Sequence, residues 1–183
     1  CQAVHLNTIS EKIIENTLIK RHNTGESLAK NIAHRSEGSY GRALDLLSQE
    51  SDNLQFEAWF IAWVRTAFQA KSNKQSINNL MAWSQEISKT GREVQKQFLD
   101  YSLQFFRHAM LYNYGAKSLV FVELNDKSFK VENFAPFIDS CNISEISKEV
   151  ELARYHIERN GNSKIILTDL SIKLTRLLHL KKS

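Results

Sequence analysis

The sequence predicts an all-α protein: a small three-helix domain followed by a larger helical bundle. Three observations lead there. Helix breakers are scarce, with one proline and six glycines in 183 residues. Apolar residues recur every three or four positions over most of the chain, the spacing that lines one face of an α-helix. The gaps between these stretches carry Ser, Asn and Gly, which start and stop helices.

The elements follow in order. Ser10 caps a first helix with Ile13, Ile14 and Leu18 on one side, and His22-Asn23-Thr24-Gly25 ends it. A second helix covers residues 26–35, and a third runs from about Tyr40 to Leu47. Between them, Gly38 tolerates the left-handed backbone that closes a helix, and Ser39 can accept from the free N–H groups of the next one. Three short helices cannot bury their apolar faces alone, so residues 1–50 are expected to form one small unit. Ser51-Asp52-Asn53 reads as a hinge and cap, opening a second domain over residues 51–183. There Phe56, Trp59, Phe60, Trp63, Val64 and Phe68 make a broad apolar face on one long helix.

A shorter helix follows over residues 76–87, using Ile77, Leu80, Met81 and Trp83. After Thr90-Gly91-Arg92 comes another long one, with Val94, Phe98, Tyr101, Phe105 and Leu111 or Tyr112 as its stripe, ending by about Gly115. Residues 117–132 read as a loop with a short extended or helical piece at Leu119-Val120-Phe121-Val122. Asn133 to Asp139 predicts a short helix, with Pro136 tolerable in its first turn. Ser144 caps a helix carrying Ile146, Val150, Ala153 and Ile157, which Asn160-Gly161-Asn162 ends. The last helix, from about Lys164, carries Ile166, Leu170, Leu174, Leu177 and Leu178.

Composition narrows the function classes. Lys and Arg number 24 against 20 Asp and Glu, a formal charge of +4 spread along the chain. That excess permits a phosphate contact without marking a nucleic-acid groove. Lys173, Arg176, His179, Lys181 and Lys182 suit a terminal helix that complements its own dipole. Cys1 in place of methionine reads as the start of a piece of a longer protein. The N-terminus has no basic start followed by an apolar core, and the apolar runs are too short to cross a bilayer. Two cysteines, Cys1 and Cys141, form neither a disulfide framework nor a zinc pattern, so a reduced, cytoplasmic protein is expected.

Catalytic chemistry is sought and not found. The six histidines, at 5, 22, 34, 108, 156 and 179, include no pair at the spacing that sets two metal ligands on one helix face. No Gly-x-Ser-x-Gly elbow and no phosphate-loop motif occur, and Gly38-Ser39-Tyr40-Gly41 lacks both the lysine and the preceding strand. Trp59 and Trp63 lie one turn apart and read first as core; the alternative is an aromatic face shared with a neighbouring subunit. Arg92, Lys96 and Arg107 face acidic partners or solvent. The interface candidates are therefore Trp59, Trp63, Arg92 and Arg107.

Four stretches carry a resemblance to one family. Glu26 to Arg35, leading into Ser36-Glu37-Gly38-Ser39-Tyr40-Gly41-Arg42-Ala43-Leu44-Asp45-Leu46-Leu47, resembles the lid of clamp-loader AAA+ proteins, in the helix that carries the sensor-2 arginine of active subunits. Cys1-Gln2 followed by Val4-His5-Leu6 is similar to the junction after that family's Ser-Arg-Cys motif. Glu151 to Asn160, continuing Gly161-Asn162-Ser163-Lys164-Ile165, and Gly91-Arg92-Glu93-Val94-Gln95-Lys96-Gln97-Phe98-Leu99 resemble the delta-prime subunits of bacterial DNA polymerase III.

The resemblance implies an AAA+ lid over 1–50 and a collar domain over 51–183, which holds loader subunits in a ring. In hydrolysing subunits the sensor-2 arginine stands three residues after the glycine, where this chain has Gly41. Arg42 comes one residue later, about 100° further round a helix, and does not reach the same phosphate. The family's Ser-Arg arginine, which stabilises charge on a neighbour's transferred phosphate, would fall just before Cys1. What remains is implied to be non-catalytic, with no cofactor or metal. Its implied partners are the ATPase subunits and delta through the collar, and the sliding clamp and primer–template DNA indirectly; no membrane is involved. Lid and collar would couple through a hinge near Glu50-Ser51-Asp52. Two other readings compete: the same region of an ATP-hydrolysing loader subunit, with Arg42 as a displaced sensor, and an unrelated helical module that binds nucleic acid.

Overall fold

A computed structural model describes residues 9–70, 73–116 and 124–180. The junction around Cys1-Gln2 and Val4-His5-Leu6, the run Leu119-Val120-Phe121-Val122, and Lys181 and Lys182 lie outside the described residues. Among the described residues there is no strand. The elements are α1 (Glu11–His22), α2 (Glu26–Arg35), α3 (Tyr40–Gln69), α4 (Lys74–Ile87), α5 (Arg92–Asn113), α6 (Val131–Phe134), a 3-10 turn (Ala135–Phe137), α7 (Ile143–Glu158) and α8 (Ser163–Leu177). The all-α class is the one the sequence predicts. The chain divides into two compact units, Cys1–Leu54 and Gln55–Ser183.

One element differs from expectation. Helix α3 is continuous through Ser51-Asp52-Asn53, which corrects both the hinge and the helix end near Leu47. Each of those three residues costs at most about 0.7 kcal/mol against alanine in a helix. No Gly or Pro stands between Arg42 and Gln69, so nothing removes a backbone donor or frees the chain to turn.

In the first unit α1 packs on α2. Ile14 and Leu18, Ala29, Ile32 and Ala33, and Ala43 are buried together, with Leu44 and Leu47 of α3 against them. Ile13 lies outside this core and is exposed, although its type placed it on the apolar side. The α2–α3 corner forms as its residues suggest. Glu37 and Gly38 take left-handed φ of 51° and 80°, the region where a glycine carries no Cβ penalty. Ser39 Oγ then accepts from Arg42 N at 3.3 Å, capping α3. Beneath the corner, buried Ser36 returns its hydroxyl to Ala33 O at 2.7 Å.

The second unit is built around aromatic rings. Helix α7 packs on α5 and α8, and α8 also on α4. Trp63 is fully buried, stacked on Trp83 with centroids 5.1 Å apart and planes 10° from parallel. Phe60 packs on Phe105 at 4.3 Å, and Phe98 meets Trp59 edge-on at 5.7 Å. The indole N–H groups are satisfied inside: Trp63 donates to Ser171 Oγ at 2.9 Å, and Trp83 to Trp59 O at 3.0 Å.

Helix α4 turns Leu80, Trp83, Ser84 and Ile87 inward, whereas Ile77 and Met81 stay exposed. Ser84 fits the interior because it is small and its hydroxyl goes to Leu80 O at 2.9 Å. The short helix expected over 133–139 starts two residues earlier, as α6, and passes into the 3-10 turn that holds Pro136. Helix α7 starts at Ile143 behind Asn142 rather than being capped by Ser144. Asn142 is buried and ties three pieces together, accepting from Asp139 N at 3.0 Å and donating to Phe137 O at 2.7 Å and Leu177 O at 3.1 Å.

Candidate functional site

The residues singled out by sequence fall at separate places in the two units. In the first, Tyr40, Gly41 and Arg42 open α3. Gly41 is exposed, and a Cβ added there would meet nothing within 4 Å. Packing therefore does not require glycine at this position. Arg42 turns back instead of outward along the helix: its Nη1 donates to Glu37 Oε2 at 2.8 Å, both side chains being more than half exposed. Such an ion pair adds little stability but orients the guanidinium. Gly41→Ala should raise stability by about 0.5–1 kcal/mol, since it removes glycine's extra chain entropy at no steric cost; a urea midpoint that falls would show a constraint on that backbone. Two further polar contacts join this unit's helices, His22 Nε2 with Tyr40 Oη and His34 Nδ1 with Glu11 Oε1, each 3.2 Å.

In the second unit two of the four interface candidates lie inside. Trp63 has no exposed surface and Trp59 is buried, its Nε1 donating to Glu86 Oε1 at 3.3 Å. Both rings sit in the core of the second unit, as the first of their two readings has it, rather than on an exposed aromatic face. Arg92, the first residue of α5, and Arg107, on its outer side, are exposed and make no ion pair among the described residues. Lys96 is engaged within the chain, 2.9 Å from Glu93 and 4.0 Å from Glu158, and the Glu93 hydrogen bond holds its pKa above the ordinary lysine value.

Sequence reasoning missed Glu57. This carboxylate is buried on α3, accepting from Asp126 N at 2.7 Å and Asn125 Nδ2 at 3.1 Å. Arg65, two turns along, reaches the same loop: Nη2 donates to Ser128 Oγ at 2.9 Å, and the guanidinium stands 5.6 Å from the centre of the Phe129 ring. Ser128 donates through both its N–H and its hydroxyl to Asp126, holding that carboxyl below its ordinary pKa. Burial, and next the Glu57 charge, push the neighbouring Tyr101 hydroxyl up to about 12. The only signal in the sequence is one acidic residue inside an aromatic face. Its partners come from a loop far along the chain. The geometry is that of a loop clamp.

No group of three or more His, Cys, Asp or Glu among the described residues is placed to hold a metal ion. No helix among them is long and apolar enough to cross a membrane. Comparison with known proteins finds no matching family model, no similar curated protein and no matching solved structure.

Proposed function

We propose that this chain is the lid and collar of a clamp-loader delta-prime subunit, a framework that places neighbouring ATPase subunits so that the sliding clamp is opened and loaded on primed DNA. The observation that carries the reading is at the start of α3. Position 41, where a hydrolysing subunit of the resembled family has its sensor-2 arginine, holds an exposed glycine, and Arg42 is paired with Glu37. A cation held there by a local carboxylate is not presented to a nucleotide phosphate. The division into a small helical unit and a larger one with an aromatic core also suits a lid and a collar. In this reading the chain has no catalytic role and works in the cytoplasm; its partners are the ATPase subunits and delta, and Arg92 and Arg107 remain available to meet them.

Calorimetry with ATP and magnesium tests the non-catalytic part. No binding heat is expected from the wild-type chain. Micromolar, magnesium-dependent binding that disappears in Arg42→Ala would overturn the reading, because Arg42 would then be acting as a sensor.

A further inference from the structure

The second unit holds an apolar cleft of about 300 Å³, between the end of α3 and the segment that runs from Ser128 into the 3-10 turn. Phenylalanine makes most of its wall. Phe68 comes from α3, and Phe129, Phe134 and Phe137 come from the later segment. The rings are held in place by packing behind them. Phe134 is buried, 5.7 Å from Phe129 and edge-on to Phe60 at 6.0 Å. Phe68 contacts Phe137 at 4.5 Å and His179 at 4.8 Å. Even so, Phe68 and Phe137 keep 36 % and 39 % of their surface exposed. Covering that surface favours an apolar ligand, and a wall of ring faces and edges suits an aromatic one.

The charge on this cleft has one sign. Arg65 and Lys130 line it, and no carboxylate does so among the described residues. Glu132, two residues after Lys130, is not part of the lining. Arg65 is partly engaged, with Nη1 3.6 Å from Asp126 Oδ2 and Nη2 donating to Ser128 Oγ at 2.9 Å. Lys130 makes no ion pair with a described residue, and the side-chain amide of Asn133 makes no hydrogen bond with one. The turn that starts α6 brings these two to one rim: Asn133 N donates to Lys130 O at 3.0 Å, and residues three apart on a helical turn are neighbours. An ammonium beside an amide N–H₂ gives two donors matched to a carboxylate.

Size narrows the ligand further. Small-molecule sites begin at about 300 Å³, room for one ring and a short acidic arm. No strand among the described residues offers an edge that would hold an extended peptide.

We propose that this cleft binds a small aromatic monocarboxylate, its ring against Phe68, Phe129 and Phe137 and its carboxylate accepting from Lys130 and Asn133, with Arg65 adding positive charge. The site stands whether or not the chain belongs to a clamp loader. Titration of the full chain with 3-phenylpropionate, followed by amide NMR, tests it. Saturable shifts centred on residues 64–69 and 128–137 are expected. The matching alcohol, 3-phenylpropanol, should bind about fivefold more weakly, since it keeps the ring and loses the charge. Butyrate, which keeps the charge and loses the ring, should not saturate. Lys130→Gln, a surface change, should weaken the acid roughly threefold and leave the alcohol and the unfolding midpoint unchanged. Added sodium chloride should likewise weaken the acid and spare the alcohol. Shifts that fail to saturate, phenethylamine binding as tightly as the acid, or an acid affinity unchanged in Lys130→Gln would overturn the proposal. A peptide ending in phenylalanine that binds tighter than the free acid would also overturn it, because the cleft would then be reading a chain terminus.

Discussion

Trp63→Ala should lower the unfolding free energy by about 3–5 kcal/mol, the largest single effect expected in this chain. The ring is fully buried, stacks on Trp83 and touches Phe60, Phe98 and Phe106, with centroid distances from 5.1 to 6.4 Å. Its N–H also joins α3 to Ser171 on α8. Truncation therefore opens a cavity bordered by rigid rings that cannot collapse into it, and leaves Ser171 without its donor. Urea unfolding followed by far-ultraviolet circular dichroism measures the loss. An unchanged midpoint would mean that the ring is not core.

Glu57→Ala comes next, at about 1.5–3 kcal/mol, because two donors at the edge of the unit lose a charged acceptor that is itself buried. The conservative Glu57→Gln separates charge from packing through Tyr101. Free tyrosine ionises near pH 10 and Tyr101 near 12. The folded state thus favours the protonated phenol: this contribution to stability is complete below about pH 10 and is lost as pH rises through about 12. In Glu57→Gln the Tyr101 transition, identified as the absorbance step missing from Tyr101→Phe, should move down yet stay above 10, since burial is the larger cause. A transition that does not move would remove Glu57 from Tyr101's surroundings.

Helix content was legible because the chain states it locally. Ser39 caps α3, Asn162 caps α8, and Gly115, with φ of 79°, follows the end of α5, all on signals a few residues long. The long-range polar structure was not. Glu57 and its loop, and Asn142 and the end of α8, become neighbours only after the helices pack, so no local pattern announces them. The misplaced hinge has a related cause. Ser, Asp and Asn favour caps, but their preference is weak, and strong helix formers on either side carried α3 through Ser51-Asp52-Asn53. Exposed Ile13, Ile77 and Met81 show the same limit from the apolar side: residue type suggests a face, and the partner helix decides how wide it is.

Mixing this chain with the ATPase and delta subunits of a clamp loader from the same source, and following the mixture by size-exclusion chromatography with light scattering, tests the assembly role most directly. A stoichiometric complex is expected, weakened by Arg92→Glu or Arg107→Glu but not by Gly41→Ala. A folded chain that elutes alone at every ratio would contradict it.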